Sequence, residues 1–297
     1  MINININSKP EPTITRRDFL KLIKVFGLGI AVAAVGGSYV YINESDWWDV
    51  KQVGLMLPGL PASFSGLKLV QVSDIHIGGW MNIERLRQVL AIVKKLEPGL
   101  VVMTGDFVLS SSWENTLESE MLELESELKL LTAKFPTLAV LGNHDHWANA
   151  LGVSEMLTQG GVRLLVNSVQ KVQIKNDVIY FAGVDDILVG KNRLDLVLDK
   201  LPKKGCAILL AHEPDFADES AATGRFDLQL SGHTHGGQVN IPFIGPPVLP
   251  ELGQIYPQGL YRVGKMYQYT NRGVGMTYPF VRINCRPEIT VFTLLGG

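Results

Sequence analysis

The histidines of this 297-residue chain are few and are concentrated in short motifs. Two of the six, His233 and His235, stand one residue apart in the segment SGHTHGGQV, with glycines on both sides. In an extended segment, residues two apart point to the same side, so the two imidazoles face one site. Imidazole is a common metal ligand. The segment therefore predicts part of a metal site.

Four further motifs carry carboxylate, amide or imidazole groups: SDIH, TGD, GNHDH and AHEP. Together these groups suit divalent ions such as Mn²⁺, Fe²⁺ or Zn²⁺. Seven candidate ligands are too many for one ion, so we predict two ions, about 3.5–4 Å apart if they share a bridging carboxylate. The seven candidates are Asp74, His76, Asp106, Asn143, His212, His233 and His235.

Each motif directly follows a short apolar segment that is typical of a β-strand. Strands are predicted at 50–57, 67–72, 100–103, 138–141, 178–182, 207–210, 228–230 and 289–294. Amphipathic helices are predicted at 83–96, with Asn82 as the N-cap, and at 116–131. In open α/β sheets, ligands bind at the carboxyl ends of the strands. The pattern therefore predicts one layered α/β domain, residues 46–297, with all five motifs at one edge.

The bulk composition limits the partners of this domain. The formal net charge is −2, so no nucleic-acid binding is expected. The two cysteines, Cys206 and Cys285, are predicted to be unpaired thiols. A long apolar loop, 241–261, follows the two-histidine motif. It is interpreted either as a packed loop or as an apolar lip beside the metals. Such a lip would contact the membrane or hold an acyl chain, with Phe243, Ile244, Val248 and Leu249 as the residues that hold it.

The N-terminal residues 1–45 are predicted to be a leader and hydrophobic anchor outside the folded domain. Arg16 and Arg17 precede Phe19 and Leu20, and an uncharged run follows at 25–42. A basic region before an apolar run is an export or anchoring signal. The arginine pair resembles the twin-arginine signal, with an ordinary membrane anchor as the alternative. We therefore expect contact with the twin-arginine export machinery and a membrane-anchored domain outside the cytoplasm.

In order along the chain, the five motifs resemble the signature of the calcineurin-like metallophosphoesterases, from about residue 67 to the C-terminus. The resemblance implies an α-β-β-α sandwich with the metal site at the C-terminal ends of the strands. It assigns Asp74, His76 and His235 to one metal. It assigns Asn143, His212 and His233 to the other, with Asp106 bridging both. The leader, SDIHIG, HTHGGQV and NRGVG resemble a bacterial exported or membrane-anchored group similar to phosphodiesterases and UDP-2,3-diacylglucosamine hydrolases.

The chemistry expected of this site is hydrolysis of a phosphodiester or phosphoanhydride. Two divalent ions attract a phosphate and activate a water for attack on phosphorus. His144 is expected to protonate the leaving oxygen. The phosphoprotein phosphatases of the superfamily have an Asp and an Arg where this chain has Leu109 and Ser110. We therefore expect no phosphoprotein substrate. Either Asp145 or a backbone carbonyl orients His144, or His144 mainly binds the phosphate.

Several alternatives remain open from the sequence alone. The apolar loop and the leader favour a lipid-linked substrate. The competing hypotheses are a phosphodiesterase that acts on a soluble nucleotide and a non-catalytic metal-binding module of the cell envelope. Asp185 and Asp186 are interpreted as turn or cap residues, with an outer role at the metal site as the alternative. His146 and Trp147 are interpreted as exposed surface, with a place at the rim of the site as the alternative.

Overall fold

The computed structural model describes residues 44–110 and 114–296, so most of the predicted leader lies outside the described residues. Within these ranges no helix is both long enough and apolar enough to cross a bilayer. The strands are β1 (Asp49–Leu57), β2 (Lys68–Val72), β3 (Leu100–Thr104), β4 (Thr137–Val140), β5 (Arg163–Leu164), β6 (Ser168–Ile174), β7 (Asp177–Gly183), β8 (Ala207–Leu210), β9 (Leu228–Ser231), β10 (Gly259–Val263), β11 (Met266–Thr270) and β12 (Glu288–Gly296). The α-helices are α1 (Ile83–Lys95), α2 (Glu114–Thr132), α3 (Asn143–Gln159), α4 (Leu194–Lys200) and α5 (Ala217–Ala222).

The strands form two six-stranded sheets. The first sheet has the order β1-β12-β2-β3-β4-β5, and the second has the order β10-β11-β9-β8-β7-β6. Strands β2, β3 and β4 are parallel in the first sheet, and β7, β8 and β9 are parallel in the second. Because parallel strands end at the same edge of a sheet, the loops after β2, β3, β4, β8 and β9 can meet at one side of the molecule.

The first helix shows how local sequence sets these elements. The Asn82 side chain accepts a hydrogen bond from the Arg85 amide at 3.0 Å, which caps the N-terminus of α1. Its apolar residues recur every three or four positions and are buried against the first sheet. The helix ends just before Pro98-Gly99, as the sequence predicts.

Three apolar clusters separate four layers. Adjacent residues of β2 point to opposite faces, as in any strand: Val70 packs under α1 to α3, and Leu69 packs between the two sheets. A third cluster, which includes Leu209 and Val197, lies between the second sheet and the helices α4 and α5. The predicted α-β-β-α sandwich is therefore confirmed.

The eight predicted strands are present with bounds that differ by three residues or fewer. Four strands were not predicted, namely β5, β6, β10 and β11, and each lies at or next to an edge of its sheet. The two cysteines are buried and unpaired, as predicted.

Candidate metal centre

The five motifs meet at the carboxyl ends of the strands, where the two sheets face each other. The Asp106 carboxylate, after β3, lies between two imidazoles from different loops. Its Oδ2 is 3.2 Å from His212 Nε2 and 3.4 Å from His76 Nε2. On the other side, His235 Nε2 is 3.0 Å from His76 Nε2 and 3.5 Å from Asp74 Oδ1. Residues such as His76 and His235, which are 159 positions apart in sequence, therefore belong to one buried cluster.

Three sets of donor atoms in this cluster lie close enough to share a cation. Within each set the donor atoms are within 4.8 Å of one another. The first set is one of the two ligand groups expected from the resemblance, and Asp106 is common to the other two sets. The sets are Asp74, His76 and His235; Asp74, Asp106 and His212; and His76, Asp106 and His144. Asp74, His76 and Asp106 each belong to two of the three sets, so the candidate ligands form one continuous group.

The polar atoms left without partners fit a cation. Asp74 Oδ2, Asn143 Oδ1 and His212 Nε2 are buried, and within the described residues none of them has a hydrogen-bond partner. Leaving a buried acceptor unsatisfied is costly, so such groups indicate a missing ligand. Carboxylate oxygen, amide oxygen and imidazole nitrogen are together the donor types that Mn²⁺, Fe²⁺ and Zn²⁺ accept.

Backbone carbonyls fix which ring nitrogen two of the histidines present. His212 Nδ1 lies 2.6 Å from the Thr104 carbonyl oxygen, and His233 Nε2 lies 2.8 Å from the Glu251 carbonyl oxygen. A carbonyl can only accept, so each of these nitrogens carries a proton. In the neutral imidazoles, the opposite nitrogens, His212 Nε2 and His233 Nδ1, keep a free lone pair. This arrangement is the usual way in which proteins orient metal-binding histidines.

The backbone around the cluster is strained. Five of the seven predicted ligands are non-glycine residues in the left-handed region, which costs conformational free energy and is found mainly where function requires it. Their φ angles are 52° at Asp74, 51° at His76, 57° at Asp106, 72° at His233 and 51° at His235. The fold therefore holds these residues in a backbone conformation that non-glycine residues disfavour.

Two glycines leave space for the carboxylates. A Cβ added at Gly232 would lie 2.3 Å from Asp74 Oδ2, and one added at Gly142 would lie 2.3 Å from Asp106 Oδ1. Both distances are far shorter than any non-bonded contact. The glycines of the GNHDH and SGHTH motifs are thus explained by close approach to a predicted ligand.

Burial and neighbouring charges shift the pKa values of several side chains in the cluster. Burial lowers the pKa of His76 to about 3 and that of His233 to about 4, which keeps both imidazoles neutral. Burial acts to raise the pKa of Asp106, but the neighbouring His212 holds it well below its ordinary value. Burial raises the pKa of Asp74 to about 6. The charged form of Asp74 is therefore destabilised unless a cation accompanies it.

Asp145 does not contact the ring of His144, contrary to one of the two orienting arrangements that the sequence suggested. Its carboxylate accepts hydrogen bonds from four backbone amides at 2.8–3.2 Å, those of Asp106, Phe107, Val108 and Gly142. Both oxygens of the carboxylate are thus occupied by backbone amides. Asp145 fastens the loop after β3 to the N-terminus of α3, and so positions Asp106 rather than His144.

The contact to the His144 ring comes from Ser110, which neither of the suggested orienting arrangements included. Ser110 Oγ lies 2.9 Å from His144 Nδ1, and the Ser110 amide lies 3.4 Å from the same atom. The His144 ring packs edge-on against His76 at 4.7 Å. Ser110 therefore holds the imidazole with Nε2 free for a reacting group.

A cleft of about 490 Å³ opens over the cluster. Its polar lining includes Asp106, Asn143 and His144, and its apolar wall comes largely from the loop after the two-histidine motif and from 277–281. Of the four residues expected to hold an acyl chain, only Val248 lines this cleft. Phe243 and Ile244 project into solvent, so that part of the expectation is wrong. The apolar wall of the cleft consists of Trp147, Leu188, Val239, Pro247, Val248, Tyr278, Pro279 and Val281.

The residues beside the cleft have defined contacts. Asp186 accepts a hydrogen bond from the Val189 amide at 2.8 Å, which is the predicted turn role. Asp185 Oδ1 lies 2.8 Å from His146 Nε2, and this contact raises the pKa of His146. His146 is thus a paired, half-buried residue rather than exposed surface, whereas Trp147 is exposed and lines the cleft.

Buried carboxylates and imidazoles at the strand ends of a four-layer sandwich define a metallophosphoesterase. Residues 67–237 match the family model of the calcineurin-like phosphoesterases, and the chain belongs to this family. It is a phosphoester hydrolase, and members of the family use divalent metals.

Similar proteins are found in bacteria and in vertebrates. The chain is 35% identical over 286 residues to an uncharacterized metallophosphoesterase of Bacillus subtilis, YkuE, covering 95% of this chain and 98% of that protein. It is 29% identical to the phosphodiesterase YaeI of Escherichia coli, covering 95% of this chain and all of that protein. It is 34% identical to a transmembrane protein with a metallophosphoesterase domain of Danio rerio, covering 90% of this chain and 62% of that protein.

Proposed function

We propose that this protein uses two divalent ions to hydrolyse a phosphodiester or phosphoanhydride bond in a lipid-linked substrate at the membrane. One observation carries the proposal: the buried ligand cluster opens directly into a cleft with an apolar wall. The Escherichia coli relative, named a phosphodiesterase, supports the reaction type.

In this proposal one ion, Mn²⁺, Fe²⁺ or Zn²⁺, is held by Asp74, His76 and His235. The other is held by Asn143, His212 and His233, with Asp106 shared. When bound, the ions supply positive charge for the phosphate and an activated water for attack on phosphorus. Four positive charges against two aspartates leave the cluster cationic, which suits a phosphate anion.

The protein's own contribution to bond cleavage is assigned to His144. Its Nδ1 is held by Ser110, so Nε2 is directed toward the cleft and can donate a proton to the leaving oxygen. Burial lowers the pKa of His144, which makes its protonated form a stronger acid. Asp145 acts indirectly, by holding the loop that carries Asp106.

The apolar wall of the cleft supports a substrate with a hydrocarbon chain, such as a UDP-2,3-diacylglucosamine-like compound or a phospholipid. Val248 and Val281 lie in the same cleft as Asp106, so a chain held there would leave its phosphate near the metals. Each buried methylene contributes roughly 0.8 kcal/mol, so a few of them give a large preference over a soluble analogue.

The location proposed for the enzyme is the outer face of the membrane. The sequence supports it through the Arg16-Arg17 pair and the uncharged run at 25–42, which lie outside the described residues. The zebrafish relative, named a transmembrane protein, also supports membrane attachment. The twin-arginine machinery exports folded proteins, so metals could be loaded before export.

The test compares kcat/KM for an acylated nucleotide-sugar or phospholipid with that for its deacylated counterpart. We expect the wild type to prefer the acylated substrate, and a Val248→Ser/Val281→Ser variant to lose most of that preference. Val166→Ser is the matched control, because Val166 is an exposed valine outside the cleft. Equal efficiency of the wild type on both substrates would reject the lipid-linked substrate and leave a soluble-substrate phosphodiesterase.

A further inference from the structure

Several exposed apolar side chains lie on the loop and on the 277–281 segment that form part of the apolar wall of the cleft. We call this group the apolar rim; its members are Ile241, Phe243, Ile244, Val248 and Tyr278. Phe243 is completely exposed, and Tyr278, Ile244 and Val248 are 84%, 78% and 74% exposed. Groups of exposed apolar side chains of this kind mark interaction sites.

The tip of the rim is a tight turn. The Ile241 amide donates to the Gly245 carbonyl at 3.0 Å, and the Gly245 amide donates to the Ile241 carbonyl at 2.8 Å. Phe243 and Ile244 therefore project at the end of a closed loop. Phe243 has a φ of 68°, a conformation that is strained for a bulky residue. Phe243 is therefore a large apolar side chain that the turn holds in solvent rather than in the core.

The start of the described chain is attached to the base of the same turn. The Glu44 carboxylate accepts a hydrogen bond from the Asn284 amide. The Asn284 side chain donates to the Asn240 carbonyl at 3.4 Å, and the Asn240 amide donates to the Ile283 carbonyl at 2.8 Å. Asn240 immediately precedes Ile241 of the apolar rim. Glu44 thus lies close to the base of the rim.

The position of Glu44 matters because the uncharged run ends only two residues before it, at Ile42. Consecutive Cα atoms are 3.8 Å apart, so the end of that run is within about 8 Å of Glu44. Beside this point Trp47 is exposed, and the Arg286 guanidinium lies 3.9 Å from the centre of its ring. Tryptophan and arginine are side chains that favour the interface between lipid and water.

We infer that the apolar rim contacts the surface of a lipid bilayer, with the cleft mouth facing that bilayer. The occupant is a membrane because the predicted anchoring segment ends beside the rim and because Trp47 and Arg286 flank the same point. This inference rests on the proposed membrane attachment and is independent of the proposed catalysis. It explains how a lipid-linked phosphate could reach the metal cluster while its hydrocarbon chain stays near the bilayer.

The experiment uses the full chain reconstituted in lipid nanodiscs that contain brominated phosphatidylcholine, which quenches fluorophores inside the bilayer. A Phe243→Cys variant is labelled with an environment-sensitive dye; the native cysteines are buried and do not compete. Lys203→Cys is the control, because Lys203 is exposed and precedes β8, at the opposite edge from the cleft. We expect the label at 243 to shift to shorter wavelength and to lose most of its emission, and the label at 203 to do neither.

Three outcomes would overturn the inference. The first is no quenching at 243 in protein that remains in the disc, with the same result for Ile244→Cys in case the first variant folds poorly. The second is equal quenching at 203 and 243. The third is a shift to shorter wavelength at 243 without quenching, which would indicate a protein as the occupant. The measurement needs neither metal nor substrate, so its failure is distinguishable from failure of the proposed hydrolysis.

Discussion

Replacing Gly232 by alanine tests whether the backbone positions Asp74 for metal binding. An alanine Cβ at this position would lie 2.0 Å from Ser73 Oγ and 2.3 Å from Asp74 Oδ2. Neither neighbour is free to move. Ser73 Oγ is bound by Thr104 Oγ1 at 2.6 Å, and Asp74 Oδ1 accepts the His233 amide at 2.9 Å. The methyl group must therefore displace the side chains that build the site.

The expected size of the effect follows from these distances. Restoring an ordinary contact requires a movement of about 1 Å or more, and such overpacking costs about 1–3 kcal/mol in the free energy of unfolding. Disturbing the supports of a metal ligand lowers metal affinity by about 10–100-fold. Gly232→Ala should therefore fold with reduced stability and bind Mn²⁺ at least about tenfold more weakly.

The assay combines urea unfolding of the metal-free protein with Mn²⁺ titration by calorimetry. Gly54→Ala is the matched control, since Gly54 is exposed in β1 and an added Cβ would meet no atom within 4 Å among the described residues. The control should bind Mn²⁺ like the wild type. Wild-type Mn²⁺ affinity in Gly232→Ala would show that Asp74 Oδ2 is not a ligand.

Other perturbations should separate the roles of individual residues. His144→Ala should retain metal and lose about 10²–10⁴-fold in rate on poor leaving groups; an equal loss on p-nitrophenyl esters would instead make His144 a phosphate clamp. Ser110→Ala should give a smaller loss with the same leaving-group dependence, and loss without that dependence would exclude an orienting role. Burial raises the pKa of Asp74 from its ordinary value of 3.8 to about 6 in the folded protein. The folded protein is therefore most stable, with respect to this group, below about pH 4, and it loses that stability as the pH rises through about 6. Metal-free Asp74→Asn should therefore exceed the wild type by up to about 3 kcal/mol in urea unfolding at pH 8 and match it at pH 4; an equal gain at both pH values would contradict this. Arg16→Lys with Arg17→Lys should retain the protein in the cytoplasm on cell fractionation, and unchanged localisation would favour an ordinary anchor.

The layers of the fold could be predicted because the apolar residues that mark the strands and helices in the sequence are also the residues that are buried. Strands such as β3 and β8 are buried along their whole length, so their sequences are short apolar runs. The strands that sequence reasoning missed have mixed composition instead. In β6 and β10 the residues are half-buried or exposed and include polar side chains such as Lys171 and Arg262, because edge strands face solvent on more than one side.

The ligand types of the candidate site could be predicted from the motifs, but their supporting contacts could not. Asp145 is part of the GNHDH motif, yet its partners are amides of the loop after β3, and an amide leaves no signal in the sequence. Ser110 was not predicted as the partner of His144 because a carboxylate or a carbonyl was expected there, although a hydroxyl can also hold an imidazole directly. The direction of Phe243 depends on the turn at 241–245, whose backbone pairing composition alone does not reveal.

The central claim, a site for two divalent ions that share Asp106, is tested most directly by metal stoichiometry. The purified protein would be loaded with Mn²⁺, freed of unbound metal and analysed by elemental mass spectrometry against protein concentration. The proposed ligand set predicts close to two Mn²⁺ per chain in the wild type, loss at both positions in Asp106→Asn, and retention of one ion in His76→Ala. A wild-type value that never rises above one Mn²⁺ per chain, whatever the loading concentration, would contradict the two-metal mechanism.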